Sequence, residues 1–78
     1  MSENERKFRE AYARKLAEAI GRNPDDFDYG VDGIPQVVDK MVPALATGRA
    51  FVGPAVKAAA RAVGIKPTVG AIREFLAG

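Results

Sequence analysis

The 78-residue chain contains no cysteine, no histidine and no tryptophan. Without cysteine there is neither a disulfide framework nor a thiolate metal site. Without histidine the side chain most often used as a general base at neutral pH is missing. No run approaches the roughly 18 apolar residues needed to cross a bilayer, and the polar, charged start does not read as a secretory signal. These absences point to a cytoplasmic chain with no membrane partner. Acidic residues are also scarce over one half of the sequence. Residues 35–78 hold only Asp39 and Glu74 against six Lys/Arg, a net +4, whereas residues 1–34 hold eight Asp/Glu against six Lys/Arg, a net −2. A basic half of this kind suits phosphate or an acidic protein surface, although scattered solubilising charge would give the same count.

Catalytic chemistry has little to work with. The hydroxyls are Ser2, Thr47, Thr68, Tyr12 and Tyr29, and none has a plausible base beside it in sequence. The carboxylate pair Asp25-Asp26 falls in a turn. A chain this short buries only about 60–65% of its unfolded surface and hardly builds a deep cleft as well as a core. The reading is a non-enzyme with no cofactor, no metal and no small-molecule substrate. The alternating Asp residues of Asp26-Phe27-Asp28-Tyr29-Gly30-Val31-Asp32-Gly33 faintly resemble a calcium loop. Counted from Asp26, however, the twelfth position, where an EF-hand needs a bidentate Glu, is Val37. Turn formation and helix capping explain these Asp residues better.

What is present is helical grammar. Apolar residues make up 47% of the chain and charged residues 28%, ordinary values for a folded domain. Ser2-Glu3-Asn4-Glu5 fits a capping box, opening a helix that runs to about Ile20 and stops at Gly21. Its apolar face is Phe8, Ala11, Tyr12, Leu16, Ala19 and Ile20, and its outer face carries Arg6, Glu10, Arg14, Glu18 and Arg22 with alternating sign. Asn23-Pro24 starts a further turn or so, after which Phe27, Tyr29 and Val31 pin the loop to the core. Ile34-Pro35 opens a second helix with Val37, Val38, Met41, Val42 and Leu45 inside. Pro43 falls within that pattern and predicts a kink or break near Lys40–Val42. Pro54 opens a third helix with an inner stripe of Val56, Ala59, Ala60 and Val63, closed by Gly64. Pro67-Thr68 starts the last, with Val69, Ile72 and Leu76 inside and Phe75 beside them. No segment alternates with period two. The expected fold is all-α, a single domain over 1–78 made of four to five short helices.

The last two helices and their turn form a corner resembling a helix-turn-helix unit. Ala60, Gly64 and Ile65 occupy the small, glycine and apolar positions around the turn. The anchors Val69 and Ile72 come one residue earlier than such a unit expects, so the turn is short by one. Outward positions of the last helix are Thr68, Gly70, Arg73, Glu74 and Ala77, of which only Thr68 and Arg73 suit base edges. Arg49, Lys57, Arg61 and Lys66 would contact phosphates, which position without specifying. Phe51, Val52, Phe75, Leu76 and Met41 are either core or a leftover apolar patch, and a patch would favour a homodimer or docking to another protein.

The tail Ala62-Val63-Gly64-Ile65-Lys66-Pro67-Thr68-Val69-Gly70-Ala71-Ile72-Arg73-Glu74-Phe75-Leu76 resembles the C-terminal end of small phage- and prophage-encoded proteins, which have a pattern close to G-I-K-x-T-x-x-A-I-x-x-F-L. That resemblance implies a mobile-element accessory protein in the host cytoplasm, of the size used for regulators and host inhibitors. The leading expectation is DNA binding through the corner. The alternative is an inhibitor or adaptor that docks on a host protein that handles nucleic acid, and a third is a virion component.

Overall fold

Four helices account for most of the chain, and the stop signals read from the sequence are the ones the backbone uses. The structure, a computed structural model, describes residues 2–25 and 33–78. Helix α1 spans Glu3–Ala19, α2 Ile34–Ala46, α3 Pro54–Ala62 and α4 Val69–Ala77. The Ser2 hydroxyl caps α1 by accepting from the Glu5 backbone N–H at 3.1 Å, and the Thr68 hydroxyl caps α4 by accepting from the Ala71 N–H at 3.2 Å. Each satisfies one of the free donors of a first helical turn. Pro54 stands at the start of α3, where its missing N–H costs nothing.

Helices α1, α2 and α3 end in the same way. Gly21, Gly48 and Gly64 take left-handed φ values of 79°, 72° and 83°. The residue after each glycine donates back across the last turn: Arg22 to the Ala17 carbonyl, Arg49 to Ala44 and Ile65 to Ala60. These are Schellman closures, and they need a residue without a Cβ at the reversal point.

Helix α1 is the hub. It packs on α3, α2 and α4, and α4 also packs on α2, while α3 and α4 touch each other marginally at most. The buried core is Phe8, Tyr12 and Ala17 from α1, Ile34, Val38, Val42 and Leu45 from α2, Val56, Ala59 and Ala60 from α3, and Ile72 and Leu76 from α4. Phe8 and Tyr12 pack with ring centroids 6.1 Å apart and planes tilted by 35°, within the range of favourable aromatic pairs. The closest association, α1 with α3, brings together helices whose buried residues include Ala17, Ala59 and Ala60. Alanines let two backbones approach where longer side chains would hold them apart. The Cα radius of gyration, 11.6 Å, matches the ~11.5 Å of a compact chain this long.

Four expectations need correcting. Ala19 and Ile20 are exposed and Ala17 is buried instead; Ile20 is already the C-cap of α1, so its side chain no longer follows the helical stripe. Val37 is exposed, one position round the helix from buried Val38. Val69, read as an inner anchor, is 38% exposed because it is the first residue of α4. Pro43 does not break its helix, for α2 runs through it to Ala46. A mid-helix proline costs about 3 kcal/mol. Here its ring is exposed while Val42 and Leu45 on either side are fully buried, and packing of those neighbours keeps the helix continuous. Beyond α1, Asn23 accepts from the Asp25 N–H at 3.0 Å through its side chain, the local turn its residue type favours. The expected pinning by Phe27, Tyr29 and Val31, and the Asp residues 26–32 weighed against calcium, lie outside the described residues.

Candidate nucleic-acid interface

All six residues singled out for nucleic-acid contact are exposed: Arg49, Lys57, Arg61, Lys66, Thr68 and Arg73. They do not form one cluster. Lys57 and Arg61 share the outer face of α3, one turn apart, clear of its buried residues Val56, Ala59 and Ala60. Lys66 lies in the α3–α4 turn, where its backbone carbonyl accepts from the Thr68 N–H at 2.9 Å. Arg49 and Arg73 belong to a second group, at the far end of α2.

That second group is assembled by tertiary packing. The Arg73 side chain crosses Gly48 so closely that a Cβ built on that glycine would lie 3.7 Å from both its Cδ and Nη1. With Val69 and Gly70, these two residues line a shallow depression of about 160 Å³. Helix α2 has no basic residue in its own last turn, and Arg73 brings a cation from α4 to that negative end of the dipole. Arg73 therefore borders α2 rather than projecting freely from α4. Thr68 is likewise committed, its oxygen serving as the α4 cap. The two residues read as base contacts thus have structural roles, and the remaining exposed residues of α4 are Val69, Gly70, Glu74 and Ala77.

The sharper feature is how ion pairs divide along the chain. On α1, Arg6 pairs with Glu3 and Glu10, Arg9 with Glu5, and Lys15 with Glu18; Arg14 reaches Asp25 at 2.9 Å. The hydrogen bond from Arg6 lowers the Glu3 pKa below the usual carboxylate value. Arg9 also crosses to α2 and meets Asp39 at 2.7 Å. In the second half, by contrast, Lys40, Arg49, Lys57, Arg61, Lys66 and Arg73 form no ion pair among the described residues. Since Asp39 is occupied by Arg9, Glu74 is the one acid of residues 35–78 left to oppose those six cations.

Two features were not assigned to the interface from sequence. Lys40 adds an exposed cation on α2 with no ion pair among the described residues. Phe51 is 85% exposed in the α2–α3 loop. The sequence carries no signal for Phe51, because Ala50-Phe51-Val52 is continuously apolar; only burial separates them, Ala50 and Val52 packing against the core.

A different surface lies between α1 and α3. Lys7, Glu10, Ala11, Arg14, Lys15 and Glu18 face Ala62 and Val63 across an open groove of about 460 Å³. It continues past Lys15, Glu18 and Ala19 to Pro54, Ala55 and Ala58. Its α1 side is charged with both signs and its α3 side is small and apolar. No helix among the described residues is long and apolar enough to cross a membrane. Comparison with known proteins finds no matching family model, no similar curated protein and no similar solved structure.

Proposed function

We propose that the chain is a non-enzymatic DNA-binding protein of the small accessory kind carried by mobile elements, held to DNA chiefly through phosphates. The observation that supports this reading is the set of cations on residues 35–78 that have no acidic partner among the described residues, beside a first helix whose charges largely satisfy one another. Unpaired exposed cations carry counterions that a phosphate backbone displaces. Arg49, Lys57, Arg61 and Lys66 are the phosphate contacts. Arg73 and Thr68 flank them, and with so few base-edge donors on α4 the protein discriminates weakly among sequences.

The test is duplex binding by fluorescence anisotropy across a salt series. Four phosphate contacts give a log–log slope of about −3.6, which is a loss of about 150-fold between 50 and 200 mM salt. Absence of binding to any DNA, duplex or single-stranded, at low salt refutes the proposal. The second reading, an adaptor docked on a host protein, draws on the α1–α3 groove with its apolar α3 wall and charged α1 rim. That reading predicts binding insensitive to the cations of α3 and blocked by Ala62→Arg at the groove wall.

A further inference from the structure

We propose that Phe51 is a base-stacking residue, and that the nucleic acid preferred by this surface is single-stranded. The inference deepens the DNA-binding reading and rests on it. Phe51 is 85% exposed, whereas Phe8 is fully buried and Phe75 packs against the core. Phenylalanine has no polar tip to make such exposure favourable, unlike tyrosine or tryptophan.

The backbone that carries the ring is anchored on both sides. Ala50 and Val52 pack against the core while Arg49 and Phe51 are exposed, so anchoring residues lie on both sides of the ring. A Cβ built on Gly53 would come within 3.9 Å of the Phe51 Cε1, so glycine at 53 leaves that edge of the ring uncovered by its own side chain. The chain around it is basic. Arg49, also exposed, stands two residues before Phe51, and Arg73 lies against Gly48, three residues before it. The one acid between residues 33 and 73, Asp39, is occupied by Arg9.

A flat exposed ring on a segment that carries cations with no ion pair among the described residues suits a ligand that has flat apolar faces and negative charges in alternation. Single-stranded nucleic acid is such a ligand, because its bases expose their faces while its phosphates run alongside. In a duplex the faces are hidden and sequence is read at base edges, for which α4 supplies few donors. Binding by face rather than by edge fits both the exposed Phe51 and the poverty of α4.

The experiment compares the whole chain with Phe51→Ala and Phe51→Trp, titrated against labelled fifteen-nucleotide oligo-dT and against a duplex of the same length. Thermal melts confirm folding, and sedimentation reports the oligomeric state. Wild type should bind oligo-dT more tightly than duplex at equal salt. Phe51→Ala should weaken oligo-dT binding by about 5–150-fold, the range for one lost base stack, with an unchanged salt slope and duplex affinity. Phe51→Trp should retain wild-type affinity. Equal oligo-dT affinity in wild type and Phe51→Ala overturns the stacking role while the DNA-binding reading stands. Failure of wild type to bind either DNA overturns that reading and this inference together. Loss of a wild-type dimer in Phe51→Ala with unaltered oligo-dT binding also overturns it, since the ring would then be a contact between copies.

Discussion

Replacing Lys57 and Arg61 together by glutamine tests the phosphate contacts where they are most cleanly separated from the fold. Both side chains are exposed, neither has an ion-pair partner among the described residues, and both stand on the outer face of α3. Their stability roles can be bounded. Arg61 is the basic residue in the last turn of α3, so losing its favourable interaction with the helix dipole costs about 0.3–1 kcal/mol. Lys57 stands near the opposite end, where a cation gains nothing from the dipole. The double variant should therefore melt within about 8 °C of wild type. Its binding should change far more. Each phosphate contact contributes about −0.9 to the log–log slope, so removing two takes the slope from about −3.6 to about −1.8. Between 50 and 200 mM salt, wild type then loses about 150-fold in affinity and the variant about 12-fold. Anisotropy titrations over that salt range read both numbers. A slope unchanged within error shows that these cations do not meet phosphate, and the reasoning from unpaired charge fails on α3.

Three further outcomes follow from the packing. Ile72→Ala, which empties a fully buried position on α4, should destabilise the protein by about 2–5 kcal/mol in urea titrations, and a loss below 1 kcal/mol would show that the α4 anchor is misplaced. Thr68→Ala should cost about 0.5–2 kcal/mol of stability through the lost cap, with Thr68→Ser restoring it; reduced DNA affinity with unchanged stability would instead make the hydroxyl a contact. Burial raises the pKa of Tyr12 above the ordinary tyrosine value, so its contribution to stability is complete below pH of about 10 and is lost as pH rises through the folded-state pKa. Tyr12→Phe should melt like wild type at pH 7 and show a weaker fall in stability in the alkaline range; parallel curves up to pH 11 would place the alkaline sensitivity elsewhere.

The helix boundaries were legible because they depend on local chemistry. Ser2, Pro54, Thr68 and the glycines at 21, 48 and 64 each act on backbone groups within one turn, and such interactions can be read from neighbours in sequence. The failures have a common cause in packing between distant segments. Val69 and Ile72 both fit an apolar stripe, but only Ile72 faces the α1–α2 side where α4 is covered. Pro43 looked like a break because its own cost is local, while the burial of Val42 and Leu45 that outweighs it depends on helices elsewhere in the chain. The helix-turn-helix reading met the same limit. Its turn and its two helices are present, yet α3 and α4 are held through α1 rather than through each other, and no pattern within residues 55–76 contains that information.

The candidate site shows how composition and tertiary structure divide the argument about charge. Counting residues gives the second half a net +4, but a count cannot say which charges are already satisfied. Arg9 decides the matter for Asp39. It lies thirty residues away in sequence and meets Asp39 at 2.7 Å, with its own side chain only 22% exposed. Its Nε is buried without a hydrogen-bond partner, so Arg9 depends on Asp39 and Glu5 for compensation. A charge-assisted contact of this kind commits the Asp39 carboxylate to Arg9 on α1. The first helix thereby does more than neutralise itself: it takes up one of the two acids that would otherwise oppose an anionic ligand. Asp39→Asn leaves the cations of the second half as they are but removes the partner of Arg9, so its effect should fall on stability, by about 0.2–1 kcal/mol for an exposed pair, and leave the salt slope of DNA binding where it was. A changed slope would mean that Asp39 or Arg9 belongs to the interface itself.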